Sequence, residues 1–305
     1  MRNDTTSRLA RVISIARNHI WLLFEDESVP CSAELRKTQA REMLVPGDWV
    51  YAEQQSNGAA FVRERLARTS VLERHTPAGR KKLMAANITT LAIAAAFDRP
   101  TLNLTMIDEL IAFSELHELE ALLIFTKADL VSADTVRELT ELYRRLGYAV
   151  TTLDARKGEG VGALAQQLDH RETLIVGASG VGKSTLFSAL GGTASIGAVS
   201  ERSGQGRQTT SSGRLHRFAN GSCIDSPGIG EFSLAGVDYT ELATLWRELR
   251  PLLGHCRFLD CRHRDEPACA LRAARDTGDI APSRYLSYQR AYLRLEASAK
   301  NQRHQ

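Results

Sequence analysis

Apolar and polar positions alternate in short runs over residues 9–66. The runs are Val12-Ile13-Ser14-Ile15, Ile20-Trp21-Leu22-Leu23-Phe24, Asp48-Trp49-Val50-Tyr51 and Ala59-Ala60-Phe61-Val62. Turn-formers separate them at Arg17-Asn18, Glu25 to Ser28, Pro46-Gly47-Asp48 and Ser56-Asn57-Gly58. Closely spaced short strands of this kind predict a small β-barrel or sandwich. From about residue 80 the rhythm becomes strand, helix, strand. Ile88 to Ala96 and Ala121 to Phe125 are continuous apolar runs, as in strands buried on both faces. Met106, Ile107, Leu110, Ile111, Phe113 and Leu116 mark one amphipathic helix. Val136, Leu139, Leu142 and Leu146 mark a second, stopped by Gly147. Tyr148 to Leu153 and Thr173 to Val176 add strands, so the alternation predicts a parallel sheet with helices on both faces. After about residue 236 the pattern turns helical, through Leu242, Leu245, Trp246 and Leu249 and then Tyr285, Tyr288, Tyr292 and Leu293, and it ends in a polar tail.

These changes of rhythm divide the chain into 1–72, 73–235 and 236–305, consistent with the two or three domains expected of 305 residues. Hydrophobic residues are 43% and charged residues 25%, the balance of a soluble globular protein. No apolar run reaches the ~18–20 residues that span a bilayer. Met1 to Arg11 is polar and has no apolar signal core, so a cytoplasmic protein without membrane contact is expected. The net charge is only +3. Lys plus Arg against Asp plus Glu number 10 and 9, 17 and 18, and 12 and 9 in the three segments, so the basic excess lies at the C-terminal end, where it suits a polyanion. Nothing marks an oligomer, and a monomer is the default.

Thr173-Leu174-Ile175-Val176 runs into Gly177-Ala178-Ser179-Gly180-Val181-Gly182-Lys183-Ser184-Thr185, and Leu186, Phe187 and Leu190 continue as a helix. This is G-x4-G-K-S after a strand and before a helix, the setting in which it cradles nucleotide phosphates. The glycines let backbone N–H groups converge on phosphate oxygens, and the helix start adds positive potential. Lys183 is expected to reach the β- and γ-phosphates and Ser184 to ligate Mg²⁺.

Thr126-Lys127-Ala128-Asp129 follows the apolar strand Leu122 to Phe125. GTPases read guanine with an N-K-x-D tetrapeptide in this position. Asp129 would accept from N1–H and the exocyclic amine of guanine, and Lys127 would lie along the ribose and base or brace the phosphate loop. Thr126 stands where Asn is usual and loses one arm of the amide, which predicts guanine preference with somewhat weaker binding. Ala155 and Arg156, after the next strand, are candidates for a backbone contact to the base.

Asp225-Ser226-Pro227-Gly228 ends the strand Ser222-Cys223-Ile224. D-x-P-G fits the carboxylate that holds Mg²⁺ through water, with Gly228 meeting the γ-phosphate. The long polar stretch from Gly192 to Gly213 contains Gly206-Arg207-Gln208-Thr209-Thr210. Thr210, with Thr209 as runner-up, is expected to complete the Mg²⁺ shell when a γ-phosphate is bound. Ile229 follows Gly228, so no glutamine stands in the usual water-orienting place, and Gln208 is the candidate for that task.

Five cysteines are present, an odd number that argues against a disulfide framework in a chain with no export signal. Cys256-x4-Cys261-x-His263-x5-Cys269 places four soft or borderline ligands in a short stretch, which predicts a closed tetrahedral Zn²⁺ site of structural type. His255 is a competing ligand, and Arg257, Arg262 and Arg264 surround the site. Cys31 and Cys223 read as ordinary core or surface thiols.

The guanine motif precedes the phosphate loop, the first switch and D-x-P-G, a permuted order, because in an ordinary GTPase the phosphate loop comes first and the guanine motif late. With a barrel before and C-x4-C-x-H-x5-C after, the chain resembles the RsgA (YjeQ) family of ribosome biogenesis GTPases over roughly residues 10 to 295. Gly47-Asp48-Trp49-Val50, Ala86-Asn87, Cys256-Arg257-Phe258, Asp260-Cys261-Arg262-His263 and Glu266-Pro267 carry further likeness. The resemblance implies a multidomain α/β protein. It would have an N-terminal OB-fold-like RNA-binding barrel, a central circularly permuted P-loop GTPase domain and a C-terminal helical zinc-binding domain. It implies a cytoplasmic GTPase that binds the small ribosomal subunit and its rRNA late in assembly, with hydrolysis stimulated by that particle. The family pattern has Asn at Thr126 and His at Gln208, and both departures bear on affinity and turnover. The alternatives are an RNA-binding switch whose degenerate G domain holds GTP without hydrolysing it, and an ATP-using P-loop enzyme, which Asp129 opposes. In the permuted order the second switch is followed directly by Glu231 to Val237 and the zinc domain, a route by which nucleotide state would act on that domain.

Overall fold

The structure is a computed structural model and describes residues 7–16, 19–34, 44–56, 58–75, 81–154, 157–190, 213–218, 220–225, 232 and 234–303. Alternation in the N-terminal segment closes a five-stranded barrel of β1 (Arg8–Ala16), β2 (His19–Phe24), β3 (Cys31–Glu34), β4 (Trp49–Gln54) and β5 (Ala60–Arg65), in the order β1-β2-β3-β5-β4. Every second side chain points inward, so Ala10, Val12, Leu22, Phe24, Val50, Ala52, Ala60 and Val62 form its core. A register shift in β1 between Val12 and Ser14 turns the strand, and Ile13 and Leu23 pack into the core of the neighbouring sheet instead.

Two of the short likenesses noted above meet at one joint. Gly47 has φ 93°, and a Cβ there would lie 2.2 Å from the Ala86 carbonyl oxygen, so only glycine fits. Asn87 Nδ2 donates to the Gly47 carbonyl at 2.8 Å, and its Oδ1 accepts from the Thr69 N–H at 2.9 Å. Asp48, fully buried, receives Arg68 through two nitrogens at 2.6 and 2.8 Å. Barrel and sheet are therefore fastened by satisfied buried polar groups. A two-stranded ribbon, β6 (Val71–His75) with β7 (Lys81–Ala86), joins them.

The central sheet contains β8 (Thr90–Ala96), β9 (Glu120–Thr126), β10 (Ala149–Leu153), β11 (Glu172–Gly177), β12 (Arg214–Phe218) and β13 (Gly221–Asp225) in the order β10-β9-β8-β11-β13-β12. All neighbours are parallel except the edge pair β12–β13. All seven residues of β8 are buried. Leu91, Ile93, Leu123, Phe125, Leu174 and Val176 face one layer of helices, α1 (Leu104–Leu116) and α2 (Ala133–Arg145). Ala92, Ala94, Leu122, Ile124 and Ile175 face the other, α3 (Val161–Leu168) and α4 (Lys183–Ala189). Asn103 and Ser132 cap α1 and α2, and Gly147 at φ 82° follows α2.

The C-terminal segment differs from its periodicity in two places. The spacing of Leu242, Leu245, Trp246 and Leu249 predicted a helix, but the chain forms two 3₁₀ turns, Leu242–Leu245 and Arg250–Leu252. Trp246 between them is extended (φ −106°, ψ 113°) and wholly buried, edge-on to Tyr288 at 5.7 Å. Burial of the indole overrides helical continuity, and Pro251 withholds an N–H from any continuation. The polar tail is the end of a long helix, because α6 (Pro282–Arg303) follows α5 (Ala270–Thr277) and runs through it.

α6 lies against α1. Arg284 on α6 donates to Asp108 on α1 at 2.6 Å and to Glu248 at 2.6 and 3.1 Å, while Tyr143 Oη donates to Asp108 at 2.8 Å. Arg294 pairs with Glu109 at 2.7 Å, and Arg247 and Arg250 both reach Glu115, at 2.6 and 2.7 Å. Among the described residues no helix is long and apolar enough to cross a membrane.

Candidate nucleotide site and metal centre

The parallel strands end along one edge of the sheet, the place where open α/β sheets bind ligands. Thr126 ends β9 and Lys127 to Asp129 follow it, Asp154 follows β10, Gly177 ends β11 and opens the phosphate loop, and Asp225 ends β13. Register sets their spacing: Gly177 lies beside Ala94 of β8, and Ile175 beside Asp225.

The loop from Gly177 to Gly182 depends on its glycines. A Cβ on Gly177 would meet the Ala94 carbonyl at 2.5 Å, and Gly180 and Gly182 have φ of 82° and 98°. Val181 is buried, whereas Ser179, Gly180, Ser184 and Thr185 are exposed and Ala178 is half-buried. Lys183 opens α4, and its Nζ donates to the Gly177 and Ala178 carbonyls at 2.6 and 3.1 Å. Burial lowers the Lys183 ammonium from its ordinary range, and the nearby Asp225 carboxylate works against that shift. Burial likewise raises the Asp225 carboxyl, against the pull of Lys183. Among the described residues Asp225 Oδ1 is buried without a hydrogen-bond partner. A buried carboxylate oxygen left open beside a phosphate-type loop fits a hydrated divalent cation, because it has acceptor capacity and no protein donor to fill it.

The 126–129 turn is fastened to the glycine-rich loop. Thr126 is buried, and its Oγ1 donates to the Val181 carbonyl at 2.6 Å, with the Ala95 carbonyl at 3.4 Å. Lys127 has φ 57°, and its Nζ donates to the Gly180 carbonyl at 2.8 Å and also to the Arg99 carbonyl. Of the two roles open to Lys127, the structure has it brace the loop. Ala128 starts a 3₁₀ turn through Leu130, and Asp129 projects from it exposed. The turn Asp98-Arg99-Pro100 after β8 thus joins the site. Sequence reading had passed over it, because it contributes a backbone carbonyl rather than a side chain.

In the C-terminal segment Cys256, Cys261, His263 and Cys269 converge, with their ligand atoms all within 4.8 Å of one another. His263 Nδ1 lies 3.4 Å from Cys256 Sγ and 3.6 Å from Cys269 Sγ, and the two sulfurs are 4.0 Å apart. Burial keeps His263 toward its neutral form, and it raises the Cys269 thiol and pushes Cys261 up to about 12. Three thiols so disposed call for a cation among them. Tyr285 Oη donates to the His263 carbonyl at 2.7 Å, and the Ala270 N–H donates to Cys256 Sγ at 3.3 Å. Glu266 organises the turn. Burial alone would raise its carboxyl, but N–H groups of Arg264, Glu266, Arg262 and Asp265 hold it down to about 2.

Residues 65–235 match the family model described as RsgA GTPase. The chain belongs to the RsgA GTPase family. A relative from Azotobacter vinelandii, named Small ribosomal subunit biogenesis GTPase RsgA, is 41% identical over 252 residues, which are 81% of this chain and 73% of that protein. One of the same name from Gemmatimonas aurantiaca is 34% identical over 296 residues, 93% of this chain and 96% of that one. The crystal structure of YjeQ from Thermotoga maritima is similar with a TM-score of 0.74 at 27% identity, over 95% of this chain and 99% of that one. YloQ, described as a circularly permuted GTPase, has a TM-score of 0.74 and covers 98% of both chains, and at 20% identity it shows the fold alone.

Among the residues expected to serve this RsgA-type site, Thr126 to Asp129, Gly177 to Thr185 and Asp225 come together at the sheet edge. Ala155, Arg156, Gln208, Thr209, Thr210 and Gly228 lie outside the described residues. Cys256, Cys261, His263 and Cys269 gather as a candidate metal centre, and His255 is not one of that group. Arg262 and Arg264 turn toward Glu296 of α6 at 3.5 and 3.6 Å, and Arg257 covers the Phe258 ring at 5.6 Å.

Proposed function

We propose that this RsgA-family GTPase binds the small ribosomal subunit and its rRNA during late assembly and hydrolyses GTP to GDP and phosphate in response to it. The curated relatives bear that role in their names. The observation that carries the chemistry is the convergence of Lys183, Ser184, Asp225 and the 126–129 turn on one sheet edge, with Asp225 Oδ1 left open.

In this reading Gly177 to Thr185 wrap the phosphates with backbone N–H groups, and Lys183 leaves its carbonyl partners for the β- and γ-oxygens. Ser184 and Thr210 would ligate Mg²⁺ and Asp225 would hold it through water, and the ion would supply charge neutralisation at the phosphates. Gly228 meets the γ-phosphate and Gln208 orients the attacking water. Asp129 reads guanine, Lys127 lies behind it, and Ala155 and Arg156 offer backbone contacts.

The metal centre suits Zn²⁺. Zn–S near 2.3 Å and Zn–N near 2.0–2.1 Å in a tetrahedron place sulfurs about 3.8 Å apart and sulfur from nitrogen about 3.5 Å. The present spacings are 4.0, 3.4 and 3.6 Å. With four protein ligands it is structural. We take the domains as 1–72, an OB-fold-like RNA-binding barrel, 73–235, the permuted GTPase domain, and 236–305, the zinc domain, in a cytoplasmic monomer.

The test is GTP hydrolysis by the purified chain, alone and with purified small ribosomal subunits, with ATP as control. A low basal rate raised at least tenfold by the subunits, with ATP inert, is expected; ~1.4 kcal/mol of barrier corresponds to each factor of ten. Gln208→Ala should remove most of the stimulated rate. Binding of GTP and subunit without stimulation would support instead the non-hydrolysing switch.

A further inference from the structure

We infer that Thr126 positions the phosphate loop and gives nothing to the base, so that this pocket does not read the N7 edge of guanine. The inference rests on reading residues 126–129 as the base turn. A hydroxyl has one proton to donate, whereas the amide usual at this place has two. Both polar neighbours of Thr126 Oγ1 are carbonyl oxygens, Val181 at 2.6 Å and Ala95 at 3.4 Å. Neither can donate, so the hydroxyl proton is committed to Val181. The Thr126 carbonyl is also occupied, accepting from the Phe97 N–H at 3.0 Å. The residue is only 5% exposed.

The commitment has a use. Val181 sits at the bend of the phosphate loop, 55 residues away in sequence, and its buried carbonyl finds its donor in Thr126. Lys127 makes a parallel tie to Gly180. The loop is held from the base side by both residues. An amide would provide this tie and retain an N–H for the ring nitrogen; the threonine provides only the tie. Selectivity then falls to Asp129, which reads the opposite edge of the base.

The experiment compares equilibrium binding of GTP and 7-deaza-GTP, in which a C–H replaces N7, to the full-length chain and its Thr126 variants. The unaltered chain should bind both within about twofold. Thr126→Asn should favour GTP by roughly threefold to tenfold, the worth of one neutral hydrogen bond. Thr126→Val should weaken both nucleotides together by about tenfold, and Thr126→Ser should restore them. A role limited to folding would leave the GTP to 7-deaza-GTP ratio of Thr126→Asn unmoved. The inference is overturned if the unaltered chain binds 7-deaza-GTP more than about fivefold more weakly than GTP, a result that needs no variant to fold. Failure to prefer GTP over ATP would overturn the base-turn reading itself, and is distinguishable from that outcome.

Discussion

Arg284 and Asp108 form an ion pair at 2.6 Å across 176 residues of sequence, with the two side chains 1% and 0% exposed. Glu248 shares the guanidinium and Tyr143 shares the carboxylate, so one cation serves two buried acids. Burial raises the Asp108 carboxyl and Arg284 opposes that shift. Burial would also strip the guanidinium of its proton, but Asp108 and Glu248 hold it there well above the ordinary arginine range. Removing the arginine leaves two acids without a counter-ion. Arg284→Met is expected to destabilise the chain by about 3–5 kcal/mol, the usual effect of breaking a buried pair from one side. At ~2–4 °C per kcal/mol the melting temperature should fall on the order of 10 °C. Arg284→Met with Asp108→Asn should cost less than the sum of the two single changes, as measured by a double-mutant cycle. Additive costs would show that the pair does not couple the helices.

Asp225 offers a stability test with a defined sign. Its folded pKa is raised above 3.8, by burial first, with Lys183 pulling the other way. The folded state therefore holds the proton more tightly than the unfolded state. Stability falls as pH rises from 3.8 through the folded value, and the cost is fully present at pH 7. Asp225→Asn should thus melt higher than the unaltered chain at pH 7 without nucleotide. The gain should shrink as pH falls through the folded value and disappear below 3.8, as the unfolded carboxyl too becomes protonated. The same variant should lose Mg²⁺-dependent GTP binding. Thermal melts between pH 3.5 and 7.5 decide it; equal melting temperatures at pH 7 would remove the argument that burial raises this carboxyl.

The zinc reading predicts about one metal ion per chain by elemental analysis, with Cys261→Ser or Cys269→Ser lowering that occupancy severalfold. Chelation should unfold the segment around residues 255–270, seen as lost hydrogen-exchange protection there. GDP affinity should change less than about threefold, because the phosphate loop and the 126–129 turn make their ties within the sheet edge. A large loss of GDP binding on chelation would mean that the centre supports the nucleotide site as well.

Much of this arrangement was legible in the chain because it is local. The run Thr173 to Thr185 carries strand, loop and helix in contiguous residues, and the apolar run at β8 is as buried as its composition implies. Cys256 to Cys269 also lie close enough in sequence for their spacing to be informative. Relationships across the fold were not legible. Nothing near Thr126 in sequence points to Val181, and nothing near Arg284 points to Asp108. Residues 242–249 have helical spacing, yet Trp246 is drawn inward against Tyr288 and the helix gives way to 3₁₀ turns. Gly47 and Asn87 each looked like a minor motif, and only in three dimensions do they become one joint.

Helix α1 receives both the chain leaving the second switch and the C-terminal segment. Phe232 packs edge-on to Phe113 of α1, with ring centroids 5.5 Å apart, and Leu234 is buried two residues later. Two residues along the same helix from Phe113, Glu115 holds Arg247 and Arg250. Before α1, the Arg99 carbonyl accepts from Lys127, and Pro100 lies 3.8 Å from where a Cβ on Gly180 would stand. The turn just before the helix therefore touches the nucleotide edge, and the helix itself carries the C-terminal segment along its length. A shift of the second switch would pull on Phe232 and load the same helix that carries Glu115 and Asp108. The expected result is that hydrogen exchange in residues 242–253 and in α6 differs between the GDP-bound and GTP-analogue-bound chain. Phe232→Ala should reduce that difference by at least half and leave affinity for GDP within about threefold, since its ring packs against Phe113 of α1. Identical exchange in the two nucleotide states would mean that the C-terminal segment rides on the G domain as a fixed body, and that the permuted order serves placement rather than signalling.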